Sequence, residues 1–152
     1  MDKLTLWEVF IFSVPEATVI ISIALGLAGV KFDVKKVTFI SIVMGILLYF
    51  VRPLVTSYIL NVMVYVTALV ILFLVFGLMD IFRSIMSVIF SVSIYLVIEY
   101  LNVNAIQFIF DVDPLILIHN YAMRFVSFIP QLAMASLFSF LIRKYKWSPF
   151  SE

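Results

Sequence analysis

The fold class predicted for this chain is all-α: a polytopic membrane bundle of five transmembrane helices, one transmembrane domain over residues 1–152. Three observations predict it. First, 65% of the residues are hydrophobic and 12% charged, with a mean hydropathy of +1.23. A water-soluble domain of this size needs far more polar surface. Second, the apolar residues fall into five long runs, and a helix needs about 20 of them to cross a bilayer. Third, basic residues gather in alternate connections between the runs.

The first helix is expected over about 6–29. Its run carries Glu16 and lacks a basic leading region, so no cleavable signal peptide is expected. The second, over 37–51, is stopped by Arg52-Pro53, because the residue before a proline avoids helical angles. The third and fourth follow over 55–79 and 84–101, and the fifth, over 120–142, contains Pro130. Between the last two, "NAIQFIF" is too short to span. It reads as a short interfacial helix or a re-entrant piece. Asp113-Pro114 beyond it is a helix start.

Lys31, Lys35, Lys36, Arg83, Arg143, Lys144 and Lys146 all fall on one side of such a bundle. The other side has Lys3, Arg52 and Arg124 against Asp2, Glu8, Asp111 and Asp113. The positive-inside rule then predicts an outside N-terminus and a cytoplasmic C-terminus. Trp7 and Trp147 suit the two interfacial aromatic belts. The basic loop "KFDVKK" and tail "RKYK" read as topology determinants and headgroup contacts, or as contacts for a cytoplasmic partner.

A net charge of +1 gives no sign of nucleic-acid binding, and the absence of cysteine excludes thiol chemistry. With one His, no metal site is expected, and no cofactor is implied. HExxH, GxSxG and phosphate-cradling glycine loops are missing, so the expectation is a non-enzymatic protein.

What the composition does not explain is Glu16, beside Pro15, roughly 15 Å into the first span. A carboxylate there faces the bundle interior and finds a partner. At the same depth the second helix ends in Arg52, and the third offers Tyr58, Asn61 and Tyr65 on one face. The fourth offers Glu99, and the fifth Arg124, Ser127 and Gln131 on one face, with His119 at its edge. Pro15 and Pro130 are expected to kink their helices. The inner half is mainly aliphatic and aromatic. Glu16 and Glu99 are therefore expected in a buried network with Arg52 and Arg124, since guanidinium suits bidentate pairing with carboxylate. Three readings stay open: polar residues gluing helices together, some of them snorkelling; a ligand-binding vestibule; and an ion or proton path, which needs polar residues through the inner half too.

Small residues read as packing surfaces: Ser22-xxx-Gly26 and Ala24-xxx-Ala28, the stripe Ser84, Ser87, Ser91, and Ala133, Ala135, Ser136, Ser139. Some could instead seam a homo-oligomer.

The stretches "LWEVFIFSVPEATVIISIALGLAGVKF", "YFVRPL", "VIEYL" and "RFVSFIPQLAMASLFSFLIRKY" resemble a five-helix membrane module of Firmicutes. That module is found N-terminal to sensor histidine kinases with a GHKL-type ATPase domain, and also as a standalone membrane protein. Pro15, Glu16, Arg52, Glu99, Arg124 and Pro130 are the matching positions. The resemblance implies a sensory module in a bacterial plasma membrane. With no kinase domain expected after the last span, it would act on a sensor kinase or another membrane partner in trans. A transporter or channel subunit and a structural subunit of a membrane complex are the alternatives. Proline-broken helices beside a midplane charge suit the first of these, but five spans without a repeat do not.

Overall fold

The computed structural model describes residues 5–150; Asp2 and Lys3, counted above among the end charges, lie outside them. Every regular element among the described residues is helical. These are α1 (Leu6–Leu27), α2 (Val34–Val51), α3 (Tyr58–Val75), α4 (Ile81–Phe110), α5 (Pro114–His119) and α6 (Tyr121–Lys144). All but the short α5 are long and apolar enough to cross a membrane.

The element ends follow local chemistry. Asp33 accepts from the N–H groups of Lys35 and Lys36 at 3.0 and 3.4 Å, which starts α2 three residues before the apolar run. Asn120 caps α6 in the same way, and Asp113 caps α5 with Pro114 in its first turn. α1 and α3 end in glycines with positive φ, Gly29 at 68° and Gly77 at 59°. There Val30 N–H reaches Leu25 and Leu78 N–H reaches Phe73, each at 3.0 Å, closing Schellman caps.

α1 is not uniform. Val9–Ser13 forms a π-helical turn, in which Val14 N–H donates to the Val9 carbonyl. Pro15 lacks an N–H, and its ring would strike the Ile11 carbonyl of a regular α-helix. Widening the turn before it relieves that clash, so the expected kink takes the form of a π-bulge.

The expectation for α4 needs correction. "NAIQFIF" is neither a separate short helix nor a re-entrant break; it continues α4 without interruption to Phe110, for 30 residues. Asn102, Asn104 and Gln107 lower the hydropathy there, but no Pro or Gly interrupts the backbone. At 1.5 Å per residue α4 is about 45 Å long, against about 30 Å of hydrocarbon. It either tilts or reaches beyond the span. Asp111, in the left-handed region at φ 48°, ends it.

α1 is the central helix, packed against α2, α4 and α6. α3 lies between α2 and α4 and sends Tyr65, Leu69 and Phe73 into the core. α1 and α6 run side by side in the same direction: Glu8 meets Arg124 at one end, and Ser22 meets Arg143 at the other. Lys31, Lys35, Arg83, Arg143 and Lys146 share that second end, here the basic end. Away from α1 the helices turn Ile46, Phe50, Ile59, Met63, Val97, Ile129 and Leu137 outward. That suits lipid rather than water.

Small residues allow close packing at two places. A Cβ on Gly26 would meet Ile142 Cγ2 at 3.0 Å, so α1 and α6 touch there, as the Ser22-xxx-Gly26 spacing predicts. A Cβ on Gly45 would meet Val14 Cγ2 at 2.9 Å and Val9 Cγ1 at 3.1 Å, so α2 lies directly on the π turn. Ser84, Ser87 and Ser91 are fully buried within the chain, so that stripe cannot seam an oligomer. On α6, Ala135 and Ser139 face in while Ala133 and Ser136 face out.

Candidate functional site

Glu16 opens the α-helical part of α1, one turn past the π segment. It is half-buried. Among charges, the Arg52 guanidinium acts on its carboxylate most strongly, followed by Glu99 and Arg124. Arg52 sits where α2 ends, so the Arg52-Pro53 stop also positions the guanidinium. It acts on Glu99 as well. Yet neither carboxylate forms an ion pair: those among the described residues are Arg124–Glu8 and Arg83–Asp80.

α3 and α4 complete the wall. Tyr65 lies within electrostatic reach of Glu16 and Arg52, and Tyr95 of Glu16, Glu99 and Tyr65. Tyr58, exposed at the start of α3, senses Glu99, Glu16 and Arg52. Tyr95 also approaches the Gln131 side chain of α6 without closing a well-formed hydrogen bond. Among the described residues, the buried polar atoms without a partner are Ser13 Oγ, Arg52 Nε, Asn61 Oδ1, Tyr65 OH and Tyr95 OH in this half, and Ser87 Oγ and Arg143 Nε toward the basic end. Asn61 and Tyr65 are each 7% exposed and Tyr95 is 2% exposed. A buried polar atom without a partner costs on the order of 1–3 kcal/mol, so several in one place call for a ligand or solvent.

Of the residues expected at a site, the structure gathers Glu16, Arg52, Tyr58, Tyr65, Glu99 and Gln131, with Asn61 on the same face of α3. It sets two apart. Arg124 gives its Nη1 to Glu8 Oε1 at 3.5 Å and lies over the Phe12 ring at 4.9 Å, so the expected bidentate pairing with Glu16 or Glu99 is not made. His119 is exposed on α5, its Nδ1 2.8 Å from the Leu115 carbonyl, away from the cluster. Pro130 is also exposed, on the outer face of α6. Near it Asn102 Nδ2 donates to the Ser127 carbonyl at 2.8 Å, tying α4 to the proline-weakened part of α6.

Three participants are missing from the sequence-based set. Tyr95 stands one turn before Glu99, a spacing that signals a shared face. Ser13 is carried into the core by the π turn. Glu8 reads as an end charge, but its side chain is 15% exposed and accepts from Thr5 N–H at 2.6 Å as well as from Arg124. The signal was the Thr5-x-x-Glu8 capping box.

Toward the basic end the chemistry changes. Thr18 and Ser41 hydroxyls meet at 2.9 Å between α1 and α2, and Ser41 donates to Val37 O. Beyond them Ile20, Ile23, Ala24, Leu69, Phe73 and Val88 form the core, together with the buried hydroxyls of Ser84, Ser87, Ser91 and Ser139. Among the described residues no three His, Cys, Asp or Glu side chains gather to hold a metal ion.

By class, then, this is a multi-pass helical membrane protein with a polar cluster in one half of the bundle. No family model, no curated protein and no solved structure matches the chain.

Proposed function

We propose that the chain is a sensory, receptor-like module of a bacterial plasma membrane, with its N-terminus outside and its C-terminus cytoplasmic. It is non-enzymatic. The cluster around Glu16 binds a small polar molecule from outside, and the bound state passes to a cytoplasmic or membrane partner such as a sensor kinase. What carries this reading is the convergence of Glu16, Arg52, Tyr65, Tyr95 and Glu99 from four helices with so many polar atoms unpartnered. Charges at membrane depth mark sites by default. The orientation rests on the basic end alone.

Transmission needs an element with two arrangements that ligand can bias. α1 suits the task. It carries Glu16 next to the π turn, and at the basic end its Ser22 carbonyl accepts from Arg143 Nη2 at 3.0 Å. Arg143 also covers the Phe32 ring of the first connection at 4.2 Å. A change of pitch at Val9–Ser13 would reach both the first basic loop and the basic tail.

A transporter subunit is the second reading, favoured by the π turn and Pro15 beside a deep charge. Among the described residues, the buried polar side chains toward the basic end are serine hydroxyls, Ser41, Ser84, Ser87, Ser91 and Ser139, with no charged group among them, which weighs against a charge-lined route. Cysteine accessibility separates the two. In right-side-out vesicles, Asn61→Cys and Glu99→Cys should react with an impermeant thiol reagent while Ser87→Cys stays protected. Protection of all three would remove the pocket, and reaction at position 87 would favour transport.

A further inference from the structure

We propose that a groove between α4 and α6 holds one acyl chain of an anionic phospholipid, with the lipid's phosphate against Arg83. The groove encloses about 400 Å³ and follows α4 from Phe90 to Leu101, with Phe138 of α6 on its other side. Phe90, Ile94, Val97, Ile98 and Leu101 recur every three or four residues, so they form one face of the helix. That face is about 16 Å long, a length one extended acyl chain covers, since two chains end to end make the roughly 30 Å hydrocarbon core. The lining's polar side chain is Ser93, and its hydroxyl is spent on Ile89 O of its own helix at 2.8 Å. The groove therefore offers an occupant apolar contact alone.

Its mouth is built by the tail. Lys146 lies in the left-handed region at φ 51°, and Trp147 N–H reaches Ile142 O at 2.9 Å, a Schellman cap that ends α6. Beyond the cap the Phe150 ring rests on Phe90, 5.5 Å between centroids. Arg83 stands seven residues before Phe90, two turns toward the basic end on the same face. Among the described residues its charge partner is Asp80, 3.9 Å away and exposed, too open a pair to neutralise it. Lys144 and Lys146 lead into the tail. Basic charge thus predominates where a headgroup would sit, and an anionic phosphate complements it. A partner helix or a second copy fits less well. Membrane helices meet where small residues let backbones close, and three phenylalanines border this groove.

The test weighs the full chain by native mass spectrometry, from detergent micelles holding equal amounts of dipalmitoyl phosphatidylglycerol and dipalmitoyl phosphatidylcholine. The expected result is one phosphatidylglycerol retained per chain, in preference to phosphatidylcholine. Val97→Trp, which fills the groove, should reduce retention about tenfold. Ser93→Leu fills it more gently and carries the test alone if a melting profile shows Val97→Trp unfolded. Ile59→Trp, on the exposed face of α3, should change nothing. Arg83→Gln should keep a lipid but lose the preference for phosphatidylglycerol. Dioctanoyl phosphatidylglycerol, with the same headgroup and a shorter chain, should be retained far less. Retention unchanged in the groove-filling variants, or equal for the two chain lengths, would mean surface attraction to the basic end and overturn the site. Equal retention of the two headgroups, or a preference that survives Arg83→Gln, would overturn the phosphate's place at Arg83. A dimer that the groove-filling variants dissociate would make the groove an interface between copies and overturn the lipid.

Discussion

Val14 N–H donates to Val9 O, five residues back, and Pro15 follows at once. This bond sets the rotational phase of everything before it on α1. It brings Phe12 into edge-on contact with Tyr121, Phe125 and Phe128 of α6, at 6.0, 6.3 and 5.1 Å between centroids, and points Glu8 at Arg124.

Pro15→Ala should therefore change geometry more than composition. Restoring the N–H lets the turn revert to α, rotating the N-terminal segment by about 100°. With no native cysteine, paired cysteines at positions 8 and 124 can be linked by a short bifunctional thiol reagent. The expected outcome is efficient linkage while Pro15 is kept and little once Pro15→Ala is added. Linkage at the same rate in both would show that packing by Gly45 and Val14, rather than the proline, holds the π turn.

The Glu8–Arg124 pair should show measurable coupling, because Glu8 is only 15% exposed and Arg124 37%. A double-mutant cycle with Glu8→Gln and Arg124→Gln, read from unfolding in mixed micelles, should give about 1 kcal/mol. The same cycle on Asp80 and Arg83, 3.9 Å apart with Asp80 81% exposed, should give nearly none.

Gly45→Ala should destabilise more than Gly26→Ala. Alanine gains about 1 kcal/mol over glycine in a helix. At Gly26 the single 3.0 Å contact is with a methyl of Ile142, and the gain roughly offsets the clash. At Gly45 two β-branched valines stand at 2.9 and 3.1 Å, and stiff side chains leave a net loss of roughly 1–2 kcal/mol. Equal midpoints for the two variants would show that α2 can retreat from the π turn.

Asn102→Leu should lose roughly 1 kcal/mol, because it abandons a buried bond to Ser127 O. Asn104→Leu, exposed and bonded only to Tyr100 O of its own helix, should be neutral or stabilising in lipid. The ranking in unfolding midpoints checks it.

Hydropathy is a local quantity, so the five spans were legible in the sequence to within a few residues at most ends. The exceptions have local causes too. Asp33 extends α2 backwards by capping it, and Asn102, Asn104 and Gln107 read as a stop although their backbone never leaves the helix. Glu16, Arg52, Glu99 and the tyrosines of α3 could be gathered by depth alone. Pairing could not, because it depends on rotation. No count along the chain indicates that a π turn carries Ser13 inward, or that Arg124 leaves Glu16 for Glu8. Tyr95 was hidden by its own amphipathic character, one more aromatic residue in an apolar run.

The central claim is that the polar groups around Glu16 are completed by something other than one another. The most direct measurement is an experimental structure of the full chain in lipid nanodiscs, read at Glu16, Arg52, Tyr65, Tyr95 and Glu99. The account predicts ordered solvent or a bound molecule bridging Glu16 to the Tyr65 and Tyr95 hydroxyls and to Asn61 Oδ1. A dry cluster, with Arg52 closed directly onto Glu16 and Glu99, would contradict it and leave those charges as helix-to-helix contacts.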